Sequence, residues 1–503
     1  MTSIFLQAMR PFMRITPEVV KPTREVRFNE KVLWTFGALI VYFIMTVVPV
    51  FNLDGPISTT QADPFQFLRT IMASTRGTLA ELGIGPIVTA GLIMQILVGS
   101  KLIQVDMGDP EERALYTGAQ KVLSVIMTIF EAGAYILGGA YGNNLSGGAM
   151  ALIMLQLLSS GIAIILLDEM IQKGWGLGSG ISLFIAGGVA TQIFYHSFAF
   201  ANFADGLVEL PGLTQLLPIG AITALLTAIS EGGFFQGITM MFFRVDHPTN
   251  SLVAIIATIV VFLVVIYFEC MKIDIPVSYS DHRGFRGKYP IKLMYVSNIP
   301  VILVSAVFAD IYFIAQMFSN VAPDFLLTKW LGEFDPQSRQ PTGGLVLYLT
   351  PPRGLYGRGA VFPIGSTGGL DFGQLINNLP RAFVYGFLMI VLSVAFSKMW
   401  ITTAGMASKD VAKQLLDAGM QIPGWRRSEK TIERRLEMYI PAAAALGGFL
   451  IGVLAAFADF AGALGTGTGI LLSVSIMRQY FDILVKERAA EMHPALRGFL
   501  GIL

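Results

Sequence analysis

Long apolar runs are the feature that most constrains how this chain can fold. Ten stretches approach the roughly 20 residues that an α-helix needs to cross a bilayer. Of the whole sequence, 54% is hydrophobic and 14% is charged, whereas a soluble domain carries roughly 25% charged residues. We therefore predict an all-α polytopic membrane protein with about ten transmembrane helices, at 32–51, 84–100, 116–138, 149–168, 179–200, 250–271, 291–317, 379–401, 437–460 and 468–485.

The second of these spans is broken at its start. The run 81–99 is apolar, yet Gly83, Gly85 and Pro86 lie together at its beginning, and glycine and proline both disfavour a helix interior. Proline is tolerated in a first turn, so the helix should begin within a residue or two of Pro86. Residues 65–80 then form a separate short amphipathic piece. Because irregular backbone at membrane depth is tolerated only where it faces protein or a water-filled cavity, this pattern indicates a pore or a transport path.

Lysines and arginines are distributed unevenly between the two sides of the membrane. With a cytoplasmic N-terminus, 27 of the 35 basic residues lie on the cytoplasmic side and 8 on the other, as the positive-inside rule requires. A further transmembrane helix at 213–229 would reverse every later segment and destroy this bias, so we expect at most an interfacial helix there. Both termini are then cytoplasmic. Residues 1–31 have no apolar core before a cleavage site, so we expect a tail lying on the membrane surface and not a cleaved signal peptide.

Two pairs of short sequence patterns recur five spans apart. Glycine-rich starts open the fifth span at 176–183 and the tenth at 465–472, and 84–88 resembles 299–303. The members of each pair run in opposite directions, which indicates two inverted five-helix halves. The expected organisation is a cytoplasmic N-terminal tail at 1–31, an N-terminal half at 32–200, an external connecting segment at 201–249, a C-terminal half at 250–485 and a cytoplasmic C-terminal tail at 486–503.

The sequence offers little for catalysis. Its four histidines lack metal-ligand spacing, its single cysteine is Cys270, and neither glycine-rich run has a phosphate-binding pattern. We expect no metal, no cofactor and no enzymatic activity, because a membrane-embedded enzyme would need a catalytic dyad at membrane depth. Glu131 and Asp310 are the acidic residues nearest the membrane middle, and we expect both to satisfy helix ends. A secondary transporter with inverted repeats stays open as the alternative, although it would usually keep an ionisable residue at the midplane.

Two long basic loops lie on the predicted cytoplasmic side, at 272–290 and 402–435. The positive-inside rule alone would account for their charge, but their length and their glycine and aromatic content exceed what topology requires. Such loops suit a phosphate-rich partner such as ribosomal RNA, held by salt-sensitive contacts. The candidate ribosome-docking residues are Arg283, Arg286, Lys288, Arg426, Arg427 and Lys430.

Six ordered blocks resemble one family along essentially the whole chain. The blocks are GIGPIVTAGLIMQILVG at 83–99, LDEMIQKGWGLGSGISLFIAGG at 167–188, ECMKIDIPVSY at 269–279, KYPIKLMYVSNIPVIL at 288–303, RRSEKTIERRLEMYIP at 426–441 and GTGTGILLSVSI at 465–476. With these blocks the sequence resembles the SecY family, the pore-forming alpha subunits of the Sec protein-conducting channel, and two of the blocks have archaeal forms.

This resemblance implies an hourglass-shaped central pore between the two halves, with a ring of apolar side chains at its constriction. Bulky aliphatic side chains seal loosely around a passing chain and dewet the pore when it is empty. Carried over position by position, the pore ring consists of Ile84, Val88, Ile181, Ile185, Ile302 and Leu472.

The resemblance also implies a plug and a lateral gate. The plug at 65–80 would close the external side, and its small polar residues would allow the weak packing of a segment that must leave. The gate would open between spans two and three on one side and seven and eight on the other. Its polar contacts would be Thr89, Gln120 and Asn298, worth about 0.6–2 kcal/mol each. The plug candidates are Phe65, Phe67, Leu68, Ile71, Met72, Ser74, Thr75, Gly77 and Thr78.

A channel of this family would conduct unfolded secretory polypeptides and release hydrophobic segments sideways into membrane lipid. The implied partners are small membrane subunits of the SecE/gamma type and the beta type, a translating ribosome and nascent signal-bearing polypeptides. The implied location is the cell (plasma) membrane. The segments 201–249 and 318–375 are expanded relative to the family, so no family role is carried over to them.

Overall fold

The computed structural model describes residues 4–51, 66–100, 102–103, 105, 109–138, 140–141, 145–200, 218–242, 250–279, 286–294, 296, 298–321, 325–335, 340–352, 354, 360–363, 371–417, 420–421 and 428–491. Most of these residues lie in helices, and the strands are confined to loops between them. The predicted all-helical membrane fold is therefore confirmed, with short strands as an addition.

Seven helices and one π-helical turn make up the N-terminal half. They are α1 (Ile4–Met13), α2 (Phe28–Val47), α3 (Gln66–Ile71), α4 (Gly85–Gly99), α5 (Pro110–Leu137), α6 (Gly147–Met170), the π-helical turn Ile171–Trp175 and α7 (Gly180–Phe198).

The remaining elements follow in the connecting segment and the C-terminal half. They are α8 (Ala221–Gly232), α9 (Phe234–Phe242), α10 (Leu252–Cys270), β1 (Lys272–Tyr279), β2 (Arg286–Lys292), α11 (Ile299–Val321), α12 (Leu326–Leu331), β3 (Glu333–Phe334), β4 (Pro341–Gly343), α13 (Leu345–Leu349), α14 (Phe372–Thr403), α15 (Ser408–Asp417), β5 (Met420–Gln421), α16 (Glu429–Leu436), α17 (Ile440–Phe460) and α18 (Gly467–Glu491).

The helices reproduce the predicted count of spans. Among the described residues, nine helices are long and apolar enough to cross a membrane. The remaining predicted span, the second at 84–100, is α4, which has 15 residues because its start is broken. Helices α8 and α9 have 12 and 9 residues, too few to cross a bilayer. The predicted interfacial helix at 213–229 is in part α8, and 213–217 lie outside the described residues.

The break before α4 has a steric cause. Gly83 adopts a left-handed φ of 53°, and a Cβ at this position would lie 2.2 Å from the carbonyl oxygen of Met72. Only glycine tolerates this backbone, so the chain turns here and the helix begins two residues later. Pro86 occupies the first turn of α4, where its missing N–H costs nothing. The predicted start of this helix is confirmed.

The joint between α6 and α7 is a buried carboxylate at a helix start. Asp168, near the end of α6, accepts a hydrogen bond from the amide of Ile181 at 3.0 Å and from the side chain of Gln172 at 2.7 Å. A Cβ on Gly180 would lie 2.6 Å from the Cα of Asp168. Glycine at this position therefore lets the two helix ends touch, and the carboxylate caps the unsatisfied amides of α7.

The equivalent joint between α17 and α18 uses the same device. Asp459, at the end of α17, accepts from the amide of Thr468 at 2.7 Å, from the Thr468 hydroxyl, and from the hydroxyl of Tyr385 on α14 at 2.8 Å. A Cβ on Gly467 would lie 1.9 Å from the carbonyl carbon of Ala458. At both glycine-rich starts noticed in the sequence, a carboxylate caps the helix start, and a glycine lets the backbone approach the end of the preceding helix.

The N-terminal segment begins with a helix, α1, that packs against other helices of this chain. Leu6 of α1 is buried in an apolar cluster with Met94 of α4 and Ala119 of α5. Further along, Lys173 pairs with Glu18 and with Glu169 at the end of α6. The apolar face of the amphipathic helix α1 therefore packs on apolar side chains of α4 and α5.

The two predicted basic loops meet in one small sheet. Strand β1 pairs with β2 along its length in an antiparallel register from Lys272–Lys292 to Ser278–Arg286. Strand β5 adds to the other edge of β1 through Ser278–Gln421. The predicted seventh span, 291–317, therefore starts later, at Ile299, because the preceding residues complete a strand.

Candidate functional site

The six predicted ring residues lie at the starts of four helices. Each is the N-cap or one of the first six residues of its helix. All belong to one contiguous apolar core, in which five are buried and Ile181 is partly buried. The structure thus brings the predicted set together, and its role as a constriction stays a prediction. The members are Ile84 and Val88 of α4, Ile181 and Ile185 of α7, Ile302 of α11 and Leu472 of α18.

The predicted plug is seated on this core. Ile71, at the end of α3, and Met72 are buried in the same apolar cluster, and α3 packs against α7, α11 and α18. The amide of the ring residue Ile84 donates to the carbonyl of Met72 at 2.9 Å. Helix α2 holds the segment from another side, since the hydroxyl of Tyr42 donates to the carbonyl of Ala73 at 2.8 Å.

The small polar residues of the plug form hydrogen-bonded turns. The amide of Ser74 donates to an α3 carbonyl at 2.9 Å, and the hydroxyl of Thr78 donates to the carbonyl of Thr75 at 2.9 Å. Thr78 also forms an isolated β-bridge with Pro49. Weak packing of this segment stays a prediction. Of the other plug candidates, only the backbone is described for Phe67 and Leu68, and Phe65 lies outside the described residues.

A buried ion pair fastens the plug, which the sequence did not reveal. The guanidinium of Arg69 on α3 lies 2.6 Å from the carboxylate of Glu81, and both side chains are almost fully buried. The second carboxylate oxygen of Glu81 accepts from the amide of Gly77, which has a left-handed φ of 72°. The Arg69 guanidinium also lies over the ring of Tyr135 on α5, 5.8 Å from its centroid. Removing one partner of such a pair would leave an uncompensated buried charge.

One of the three predicted gate residues crosses between the halves. Thr89 of α4 donates to the carboxylate of Asp310 on α11 at 3.2 Å. Both residues line a small cavity together with Glu131 of α5. A Cβ built on Gly85 would lie 2.9 Å from a carboxylate oxygen of Glu131. Asp310 is the middle residue of α11, so our expectation that it satisfies a helix end was wrong. Its carboxylate accepts this hydrogen bond across the contact between α4 and α11, which we call the seam between the halves.

The other two predicted gate residues make contacts inside their own halves. The side-chain amide of Gln120 on α5 lies against Gly91 of α4. Asn298 accepts a hydrogen bond from Gln479 of α18 at 3.2 Å. Within the described part of the chain, no hydrogen bond joins two of the three residues. A gating role for Gln120 and Asn298 stays a prediction.

The basic docking residues are described only in part. Lys430 is exposed on α16, which packs against α15. Arg286 and Lys288 lie on β2, where the backbone is described. Arg283, Arg426 and Arg427 lie outside the described residues. What the structure adds is that strands from the two loops, β1 and β5, pair in one sheet.

The fold and the site define a polytopic helical membrane protein, in which apolar residues of both halves share one core and a separate internal segment is seated on that core. The chain belongs to the SecY family, because the SecY family model matches residues 78–481. The model of the plug domain of Sec61p matches residues 40–77. This match overlaps the predicted plug and begins earlier, within α2.

Individual relatives agree with this assignment over nearly the full length. The protein translocase subunit SecY of Pyrococcus furiosus is 41% identical over 493 residues, covering 96% of this chain and 97% of the relative. A solved protein-conducting channel matches with a TM-score of 0.78 at 38% identity, covering 97% of this chain and 99% of the other. Sec61 in the canine ribosome–channel complex from the endoplasmic reticulum matches with a TM-score of 0.75 at 36% identity, covering 97% and 99%.

Proposed function

We propose that this chain is the central pore-forming subunit of a protein translocation channel, which moves unfolded secretory polypeptides across the membrane. The observation that supports this most is the aliphatic ring, which α4 and α7 of one half and α11 and α18 of the other build together. Aliphatic side chains form no fixed hydrogen bonds, so they admit any sequence and still exclude water when no chain is present. Relatives that are named protein translocase subunits and channels support the same function.

The plug and the seam between the halves supply two separable closures. The plug must leave the ring before a chain can pass, and the Arg69–Glu81 pair opposes this movement. The seam must open before a hydrophobic segment can leave sideways into lipid, and the hydrogen bond from Thr89 to Asp310 opposes that step. Polar contacts between membrane helices contribute only about 0.6–2 kcal/mol, so burial of a hydrophobic signal segment can compensate for the loss.

Partners and orientation belong to the same proposal. The shared sheet of β1, β2 and β5 unites the two basic loops into one docking surface for a translating ribosome, and the canine relative was solved in a ribosome–channel complex. Exposed apolar faces on α2 and α10 suit membrane lipid and small subunits of the SecE/gamma and beta types. The basic residues favour cytoplasmic termini, and the archaeal relatives favour the cell membrane as the location.

A reconstituted translocation assay tests this function against the transporter alternative. Vesicles that contain the chain with its small subunits receive ribosomes translating a secretory precursor. We expect the precursor to become protected from added protease, and a precursor whose signal segment carries two aspartates to stay accessible. Equal accessibility of both precursors, together with ion-dependent uptake of a small solute, would favour a secondary transporter.

The docking surface has its own test. Arg426→Glu with Arg427→Glu should weaken ribosome co-sedimentation with the vesicles, and the difference from wild type should shrink as salt rises, since phosphate contacts are screened. Arg478→Glu, a reversal on α18, is the matched control. If the double reversal leaves co-sedimentation unchanged, as the control should, the loops do not contribute to ribosome binding.

A further inference from the structure

The connecting segment between the halves contains a compact helical hairpin. Helices α8 and α9 reverse direction at Gly233, which has a left-handed φ of 82°. A Cβ on Gly237 of α9 would lie 2.8 Å from the amide nitrogen of Ile229 on α8. Ala228 and Met241 are fully buried between the two helices. The hairpin is therefore a close-packed unit with small residues at its contact.

Hydrogen bonds fix the base of this hairpin between α7 and α10. The amide of Gly220 and the hydroxyl of Thr223 both donate to the carbonyl of Ala199, at 3.0 and 2.9 Å. The side-chain amide of Asn250 donates to the carbonyl of Ile219 at 2.9 Å, and its oxygen lies 2.9 Å from His196 Nδ1. The hairpin thus leaves the bundle at the point where α7 ends and α10 begins.

Because the apolar spans α7 and α10 end and begin at that point, we place it at the level of the membrane surface. The last turn of α7 and the residues after it expose a cluster of aromatic side chains, and aromatic side chains concentrate at membrane–water interfaces. Helix α10 begins at the same level and exposes aliphatic side chains along its outer face. The exposed residues are Phe194, Tyr195, Phe198 and Phe200 at the end of α7, and Ile256, Ile259, Val260 and Leu263 on α10.

The tip of the hairpin is apolar and uncovered. Phe234 and Phe235 follow the turn and are 61% and 84% exposed. Leu226 of α8 is also exposed. Between Glu209 and Arg244 the sequence has one charged residue, Glu231. A hairpin in water normally carries charge on its exposed face, whereas an uncharged one with exposed aromatic side chains is typical of an interfacial element.

We propose that the α8–α9 hairpin inserts its Phe234–Phe235 tip among the lipids of the adjacent leaflet and anchors the connection between the two halves there. Its helices are too short to cross, so the hairpin enters and leaves on one side. The occupant of the exposed face is lipid because the face continues the outer surface of α10. This inference goes beyond the translocation function and does not depend on it.

Fluorescence quenching by brominated lipid tests the anchor in the full complex. The five tryptophans of the chain are replaced by phenylalanine, and one tryptophan is introduced by Phe235→Trp. Leu263→Trp on α10 serves as the lipid-facing control, and Lys413→Trp on the charged helix α15 serves as the water-facing control. Each variant is reconstituted in vesicles of phosphatidylcholine with or without bromine on its acyl chains, and is then titrated with iodide.

We expect brominated lipid to quench tryptophan at 235 as strongly as tryptophan at 263, and iodide to quench it far less than tryptophan at 413. Quenching by iodide and not by brominated lipid would place the tip in water and overturn the proposal. Quenching by neither would mean that a small subunit or a second copy covers the tip, which also overturns it. Because the substitution exchanges one aromatic side chain for another at an exposed position, folding should be retained.

Discussion

In each half of the chain a buried aspartate links two consecutive helices: Asp168 links α6 to α7, and Asp459 links α17 to α18. The two aspartates accept hydrogen bonds from different sets of donors. Asp168 accepts from the amide of Ile181 and from the side chain of Gln172 in the adjoining turn. Asp459 accepts from the amide and the hydroxyl of Thr468 and from Tyr385 on a third helix. The carboxylate of the C-terminal joint therefore binds α14 as well as α18. At the N-terminal joint the outside support reaches the backbone instead, because Thr35 of α2 accepts from the amide of Leu177 at 2.9 Å and Tyr480 of α18 donates to the carbonyl of Ser179 at 2.7 Å.

The two joints thus differ in whether the carboxylate or the backbone receives the support of further helices. The N-terminal connection is also longer, because the π-helical turn Ile171–Trp175 intervenes before α7. The plug and its ion pair belong to this half as well. We infer that the N-terminal half holds the part that moves, because the plug lies in it.

The largest expected effect concerns the ring, to which both halves contribute. Ile84→Gly with Val88→Gly removes the α4 side, and Ile302→Gly with Leu472→Gly removes the α11 and α18 side. Both variants should conduct ions at rest, because a gap in an aliphatic ring no longer excludes water. Planar-bilayer conductance measures the effect. A leak from only one pair would show that one half seals the pore alone, and no leak from either would disprove the ring.

The ion pair between Arg69 and Glu81, which fastens the plug, should show the next largest effect. Glu81→Gln removes the carboxylate that lies 2.6 Å from the buried guanidinium of Arg69. Breaking a buried pair costs about 3–5 kcal/mol, so the plug should leave its seat far more often. The readout is the rate at which a thiol reagent modifies Thr70→Cys, in a chain where Cys270 is serine. Replacing both partners, by Arg69→Met with Glu81→Leu, should restore a slow rate. Equally slow modification in the parent chain, in Glu81→Gln and in the double variant would contradict this role of the ion pair.

The two joints allow a direct comparison of the halves. Asp459→Ala should destabilise the chain by roughly 3 kcal/mol or more, because it leaves three donors without an acceptor, whereas Asp168→Ala should cost about 1–2 kcal/mol. Denaturant unfolding in detergent micelles measures both. Tyr385→Phe removes one of the three donors and should cost about 1 kcal/mol. A larger loss for Asp168→Ala would contradict the stronger hydrogen bonding that we assign to Asp459.

The hydrogen bond across the seam should have the smallest effect. Thr89→Val removes the donor to Asp310 and should change the energy of opening by about 0.6–1.7 kcal/mol. The measurement is the hydrophobicity that a signal segment needs for membrane insertion. Thr191→Val, on the exposed face of α7, is the matched control. An insertion threshold equal to the control's would exclude this hydrogen bond from gating.

The sequence predicted well what depends on local pattern. The spans follow from runs of apolar residues, and the start of α4 follows from Gly83 and Pro86, because both signals act within a few residues. The ring positions came from the family resemblance, since any single aliphatic residue could equally pack against a helix or face lipid. The structure places all six in one core.

What the sequence did not reveal depends on contacts between distant residues. Thr89 and Asp310 are 221 positions apart, and the charge of Asp310 alone suggested a helix end. The pair Arg69–Glu81 was hidden because hydropathy treats both residues as exposed. The sheet that unites the two basic loops needs β5 to find β1 across more than 100 residues, which no local pattern encodes.

A crosslink from the ring tests the central claim most directly. A photoreactive amino acid is placed at Ile181, the ring position that is only partly buried, and ribosomes stalled on a labelled secretory chain are added to the reconstituted channel. Leu263, on the outer face of α10, is the control position. We predict crosslinks to the nascent chain from 181 and none from 263. Crosslinks from neither position, with ribosomes still bound, would show that the chain does not pass through this ring.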